Sequence, residues 1–262
     1  MLYELKDQLD RSLKLKRFPP ERIVSLVPSL TETLYDLGLE DEVLGITRFC
    51  VHPQHWFRQK RRVGGTKDFN IERIEELKPD IVIANQEENT RSGVMELAKD
   101  WPVWVSRVEE VHEGWEVIRE LGRLTSRIER AEELIDQIQE GWTSMKKLDR
   151  PKTLYFIWKS PWMCAGSDTF ISAVMEHLGM ANVIRERRYP TIDPSKWPQD
   201  LEAPDLLLFS SEPFPFKEKH MRLWQERFPK AKTLLVDGEA FSWYGSRMLH
   251  CLPYLRELLK SL

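Results

Sequence analysis

The sequence predicts an α/β protein of two Rossmann-like lobes joined by a single long backbone helix, with a ligand cleft between the lobes. Three observations predict it. Short apolar runs alternate with helical patterns along the chain, which is the signature of parallel sheets covered by helices. One pattern occurs twice: Ile71 to Asn85 reads IERIEELKPDIVIAN and Trp197 to Ser211 reads WPQDLEAPDLLLFSS. In each, a polar-apolar segment meets a Pro-Asp pair (Pro79-Asp80, Pro204-Asp205), then a buried strand that stops in polar residues. Between the copies lies one long helical pattern. The expected divisions are an N-terminal lobe over 1–125, a linking helix over 126–150 and a C-terminal lobe over 151–262.

The elements follow in order. Ile23 to Val27 reads as a buried strand ended by Pro28. Ser29-Leu30-Thr31-Glu32 has the form of a capping box and opens a helix through Leu37, with Gly38 as its C-terminal cap. Val43 to Ile46 is a second strand. Thr47 to Phe69 is aromatic, basic and aperiodic, so a long loop is expected. A helix near Ile71 to Leu77, a strand Ile81 to Ala84, a helix near Arg91 to Lys99 and a strand Val103 to Val105 complete the first lobe. A helical stretch from Val111 runs with one break into the long helix, which Ser126-Arg127-Ile128-Glu129 caps. Ile128, Ala131, Leu134, Ile135, Ile138, Trp142, Met145 and Leu148 keep helical spacing, and Pro151 stands beyond. In the second lobe the strands are Thr153 to Ile157, Leu206 to Phe209 and Thr233 to Val236. The helices are a Ser167-capped one through Leu178 with Gly179 after it, Lys217 to Arg227, and Arg247 to Leu259.

Composition narrows the function. The chain has 262 residues, 41% hydrophobic and 31% charged, with a formal net charge of −3. That balance leaves no electrostatic footprint for nucleic acid, and no apolar run is long enough to insert in a membrane. The N-terminus MLYELKDQLDRSLKLKRFPP lacks a signal-peptide apolar core. A cytoplasmic location is therefore expected, or a periplasmic one if a leader has been removed. Cys50, Cys164 and Cys251 cannot all pair with one another and suit a reducing compartment. No Walker loop, GxGxxG, HExxH or GxSxG is present, so no catalytic residue and no enzyme activity is expected. Ten tryptophans exceed what a core needs and suit a cleft that grips a flat ligand.

In open α/β sheets ligands bind beyond the carboxyl ends of strands, which selects the candidates. Phe49 and His52 follow the second strand. A protein-only metal site there is not expected, although Cys50, His52 and His55 carry ligand chemistry at close spacing. Thr66 and Lys67 follow the flexible Gly64-Gly65 turn, and Lys67 can meet an acidic ligand group or simply be solvated. Asn85, Gln86 and Glu87 end a strand and can read polar substituents, while Asn89 or Thr90 caps the next helix. In the second lobe Trp158, Trp162 and Met163 follow a strand and can stack on a flat ring. Tyr189 precedes the second Pro-Asp block, and Ser211 and Glu212 mirror the polar cluster at Asn85. Trp243, Tyr244 and Arg247 open the last helix, which suits an anionic group. Arg247 can equally pair with an acid such as Asp237 or Glu239.

The stretches RIVSLVPSLTETLYDLG, VGGTKDFNIERIEELKPDIVIA and FSWYGSRM, in that order around a long helix, resemble the helical-backbone substrate-binding proteins. These are the cobalamin, haem and iron-siderophore receptors of ABC-type importers, and the chain is most similar to their cobalamin-binding branch. The resemblance covers nearly the whole chain from about Arg22. It implies a solute-binding protein that needs no cofactor and holds a corrinoid, tetrapyrrole or iron chelate between its lobes. It also implies an importer permease as partner, with Glu72 docking on it. The matching place in the second lobe, Ser195 to Trp197, holds no acid. The alternatives are a cytoplasmic carrier, sensor or enzyme acting on a metallated cofactor, and a cleft that takes a protein segment.

Overall fold

The computed structural model describes residues 2–198 and 201–262. Met1, Gln199 and Asp200, the last two within the second Pro-Asp block, lie outside the described residues. The chain divides into two compact units. The first comprises Met1–Val108, His112–Gln139 and Tyr244–Leu249; the second comprises Glu109–Val111, Glu140–Trp243 and His250–Leu262.

The elements before the long helices are β1 (Tyr3–Lys6), β2 (Ser12–Leu15), β3 (Ile23–Ser25), α1 (Pro28–Asp36), β4 (Val43–Ile46), α2 (Gln54–Gln59), β5 (Arg61–Arg62), α3 (Ile71–Glu76), β6 (Ile81–Asn85), α4 (Arg91–Leu97) and β7 (Val103–Ser106). Then come α5 (Val111–Leu124) and α6 (Ile128–Thr143). Strands β3 to β7 form one parallel sheet in the order β5-β4-β3-β6-β7. Val24, Leu26, Val82, Ala84, Val103 and Val105 make its core with Ile74 and Leu97 from the helices. Parallel strands buried on both faces read as unbroken apolar runs, which is why this sheet was legible.

The second unit holds β8 (Lys152–Trp158), β9 (Met163–Cys164), α7 (Phe170–His177), β10 (Ala181–Asn182), a 3-10 turn at Pro194–Lys196, β11 (Leu206–Ser210), α8 (Glu218–Arg227), β12 (Lys232–Val236) and α9 (Glu239–Ser242). α10 (Arg247–His250) and α11 (Leu252–Ser261) end the chain. The sheet order is β10-β8-β11-β12, all parallel, with β9 antiparallel to β8. Its core is aromatic. Phe156 and Phe209 stack at 4.3 Å, and Trp224 lies 4.7 Å from Phe156.

The repeated Pro-Asp pair has one physical role in both units. The Asp80 amide donates to the Arg22 carbonyl at 2.7 Å, and its carboxylate accepts from the Glu21 and Arg22 amides at 2.9 and 3.1 Å. The Asp205 amide donates to the Lys152 carbonyl at 2.7 Å, and its carboxylate accepts from the Lys152 amide at 2.8 Å. Each aspartate thus pins the start of the neighbouring strand as its own strand begins. The proline before it stops the preceding segment. Among the described residues no helix like α3 precedes Pro204, so the likeness of the two copies starts at the Pro-Asp pair.

Several expected details differ. Pro28 opens α1 rather than ending a strand: proline suits the first helical position, where its missing N–H costs nothing. Ser29 therefore lies inside the helix, and no side chain caps it. Ser126 sits at φ +57° in the break before α6, so it is not the cap there. α6 stops at Thr143 because the Leu148 and Arg150 amides pair instead with the Leu178 and Gly179 carbonyls. Thr169, not Ser167, caps α7 by accepting from the Ser172 amide, while the Ser167 hydroxyl donates to the Arg185 carbonyl. The expected helix from Arg247 is two, since α11 starts afresh with Pro253 in its first turn. The long loop after β4 contains α2, anchored by the buried Trp56.

The N-terminal hairpin β1–β2 had no expectation. Its turn covers the free edge of the first sheet. Gln8 donates from its amide to the Val105 carbonyl, and its side chain accepts from the Arg107 amide. The buried Asp7 carboxylate accepts from the amides of Leu9, Arg11 and Val105 and from the Arg11 guanidinium. Arg11 also donates to the Val103 carbonyl. An exposed strand edge templates aggregation, and this hairpin satisfies the outward groups of β7.

Candidate functional site

In the first unit the strand-end loops after β4 and β6 and the turn at Thr66 converge. Asn85 is buried and its side chain is spent on the fold. Its Oδ1 accepts from the amides of Glu87 and Glu88 at 2.8 and 2.9 Å, and its Nδ2 donates to the Ser106 carbonyl and hydroxyl, both at 3.1 Å. Asn85 is therefore a brace rather than a reader of ligand groups, because β6 carries it inside the turn that it holds. That turn presents Gln86, Glu87 and Glu88 at the surface. Asn89 donates to the Thr66 carbonyl at 2.7 Å, which ties Thr66 and the exposed Lys67 to the same edge. Surrounding protein pushes the Glu88 carboxyl pKa up; Lys67 opposes this and Glu87 adds to it. The side chain is nevertheless accessible, so the shift reflects protein mass around the carboxyl rather than enclosure.

Phe49 is 49% exposed on the loop after β4, with the Arg48 guanidinium 5.1 Å from its ring centre. His52 is half-buried nearby in sequence. Cys50 is fully buried and bonded to the hydroxyls of Thr31 and Thr47, both at 3.1 Å, and burial raises its thiol pKa. His55 faces Glu40 at 3.4 Å. Cys50, His52 and His55 are thus not gathered, and among the described residues no cluster of three His, Cys, Asp or Glu could hold a metal.

Two residues from the last expected helix also belong to the first unit, and neither is open to a ligand. Tyr244 is buried with its hydroxyl 3.0 Å from that of Ser106, and burial pushes its phenol pKa far up. Arg247 makes a two-pronged pair with Glu32 at 2.8 and 2.7 Å, with the side chains only 14% and 8% exposed. Glu32 is thus a partner of Arg247, and Gly245, at φ +81°, lets the backbone close on Thr33 beside it. There the Ser246 amide donates to the Thr33 hydroxyl at 3.0 Å. Sequence spacing held no signal for a pair 215 residues apart.

In the second unit Trp158 ends β8 with 40% of its surface exposed and an edge contact to Phe214 at 5.6 Å. Trp162 packs inward, stacked on Phe216 at 5.8 Å and edge-on to Phe156 and Trp224, so only part of it remains accessible. Met163 and Tyr189 are half-buried, and Met163 bridges to Thr191. Glu212 accepts from the Trp243 indole at 2.7 Å and the Ser242 hydroxyl at 3.0 Å. The Ser211 hydroxyl accepts from the Gly238 amide at 2.9 Å. Trp158, Ser211, Glu212 and Trp243 thus stand on adjoining strand-end loops. Glu88 and Phe214, members of the strand-end runs Asn85 to Asn89 and Ser211 to Phe214, join these surfaces.

The family model described as periplasmic binding protein matches residues 23–226. The chain belongs to the periplasmic binding protein family. An uncharacterized ABC transporter substrate-binding lipoprotein, YvrC of Bacillus subtilis strain 168, is 30% identical over 197 residues, covering 70% of this chain and 61% of that protein. A vitamin B12-binding protein of Yersinia pestis strain Pestoides F is 24% identical over 184 residues, 68% of this chain and 63% of that one. The chain thus matches less than two thirds of the length of these relatives. The periplasmic vitamin B12 binding protein BtuF of Vibrio cholerae shares the fold, with a TM-score of 0.78 over 94% of this chain and 98% of that one at 21% identity. The two-lobed α/β fold expected from the sequence is that of this family. The relatives are binding proteins, one a lipoprotein and one periplasmic; the cytoplasmic expectation finds no support among them, and the periplasmic alternative does. Among the described residues no helix is long and apolar enough to cross a membrane.

Proposed function

We propose that this chain is the solute-binding protein of an ABC-type importer, acts outside the cytoplasm, and carries a corrinoid, a tetrapyrrole or an iron chelate rather than transforming one. The observation that carries this reading is its family membership, together with a relative described as an ABC transporter substrate-binding lipoprotein. The strand-end surfaces support it. An exposed Trp158 offers a stacking face, and Gln86, Glu87 and Glu88 offer hydrogen-bond acceptors and a donor to the polar rim of a large ligand. Lys67, Phe49 and His52 add to the first surface; Trp162, Met163, Tyr189, Ser211, Glu212 and Trp243 add to the second. In this reading α6 is the backbone helix of the fold, and the ligand binds at the strand-end loops. Burial of its apolar faces supplies most of the affinity. Glu72, exposed in the first turn of α3, docks on the permease.

The test is gel filtration of the protein after incubation with cobalamin, cobinamide, haem or a ferric siderophore, followed by ligand absorbance. One class is expected to elute with the protein in stoichiometric amount. Elution of every ligand apart from the protein would contradict the assigned ligand class.

A further inference from the structure

The first unit carries a concave surface where the β1–β2 hairpin stands against α5 and β7. It is an open groove of about 360 Å³, within the range of small-molecule sites, about 300–1,000 Å³. The buried Trp104 and Leu124 form its floor. Tyr3 and Phe18 form one wall, stacked on each other at 3.8 Å and 13° and still 45% and 36% exposed. Glu120 and Arg123 stand at the rim, one helical turn apart.

The charges in this groove are not equivalent. Asp7 is spent on Arg11 and on the edge of β7, and Lys6 faces Asp10 at 3.4 Å. Glu120 receives one long bond, from the Gln8 amide group at 3.5 Å. Burial raises its carboxyl pKa; the Gln8 bond and Arg123 lower it, while Glu116 and Asp7 raise it further. Glu116 is itself paired with Arg119. Arg123 makes no ion pair within 4 Å among the described residues. An apolar floor and aromatic wall therefore meet one under-bonded anion and one cation that feels the Glu120 and Glu132 carboxylates only beyond ion-pair distance.

We propose that this groove is a second ligand site, for a small zwitterion with a flat apolar body, the chemistry of an aromatic α-amino acid. The ammonium meets the Glu120 carboxylate, the carboxylate meets the Arg123 guanidinium in a two-pronged contact, and the ring lies between Trp104 and the Tyr3–Phe18 stack.

Calorimetric titration of the whole chain with L-phenylalanine, phenethylamine and 3-phenylpropionate tests this. L-Phenylalanine is expected to bind saturably, and each single-charge analogue about tenfold more weakly or worse, as for the loss of one charge-assisted contact. Glu120→Gln and Tyr3→Ser should each weaken L-phenylalanine to a similar degree, with unchanged circular dichroism, while Trp158→Ala leaves it untouched. No saturable heat with L-phenylalanine would overturn the proposal. So would equal binding of the single-charge analogues, or sensitivity to Trp158→Ala but not to Glu120→Gln.

Discussion

Replacing the two Pro-Asp aspartates should loosen each sheet separately and unequally. The Asp80 carboxylate accepts two strand amides, at 2.9 and 3.1 Å, and that of Asp205 accepts one, at 2.8 Å. Buried hydrogen bonds to charged groups contribute about 1.5–3 kcal/mol each. These are open to solvent, which competes, so about 1 kcal/mol per bond is the working figure. Asp80→Ala should then cost about 2 kcal/mol and Asp205→Ala about 1 kcal/mol, with each backbone amide bond surviving in both. Native-state hydrogen exchange followed by mass spectrometry reads the units independently. At about 1.4 kcal/mol per factor of ten, Asp80→Ala should speed exchange in peptides of β3 and β6 roughly thirtyfold. Asp205→Ala should speed β8 and β11 roughly fivefold, and neither should move the other sheet. Unchanged exchange in both variants, or a rise spread evenly over both sheets, would refute the reasoning.

Three further outcomes follow from the contacts. Asp7→Ala removes four hydrogen bonds and leaves the Val105 amide unmet; exchange of the β7 amides should rise by the equivalent of about 2–3 kcal/mol, and an unchanged β7 would show that the hairpin does not protect it. Arg247→Met removes the two-pronged contact from the buried Glu32 carboxylate and should cost about 3 kcal/mol in urea unfolding, while Glu32→Leu combined with Arg247→Met recovers most of it; equal losses in the single and double variants would count against a buried pair. Burial holds the His177 imidazole below its ordinary value, the Trp142 carbonyl opposes this, and Lys147 adds to it. Since the folded value is the lower one, the stability that His177 contributes is complete above about pH 6.5 and is lost as pH falls from there toward the folded value. Thermal midpoints of His177→Asn should therefore fall less steeply than those of the parent between neutrality and mild acid, and parallel curves would contradict this.

The sheets were readable because parallel strands buried on both faces write themselves as apolar runs such as Ile81 to Ala84 and Leu206 to Phe209. The Pro-Asp repeat was readable because one hydrogen-bonding solution is used in both units. What escaped were features set by distant partners. Asn85 looks like a ligand reader until Ser106 and two backbone amides are seen to occupy it. Arg247 looks like an anion site until Glu32 is seen to close on it. Trp162 looks free beside Pro161, yet the aromatic core of the second unit reaches out to Phe216 and takes most of its face. Helix starts were misplaced where a proline or threonine outcompeted the serine expected to cap, as at Pro28 and Thr169. The hairpin at Tyr3 to Leu15 alternates too weakly to announce itself, and its docking depends on Asp7 meeting an edge that sequence does not display.

The central proposal is that this chain carries a corrinoid, a tetrapyrrole or an iron chelate. Its direct test is quenching of tryptophan fluorescence during titration with cobalamin, cobinamide, haem and ferric siderophores, run in parallel on Trp158→Ala. Saturable, stoichiometric quenching by one of these classes, weakened in Trp158→Ala, is the predicted result. Absence of saturable quenching by every one of them would contradict the claim.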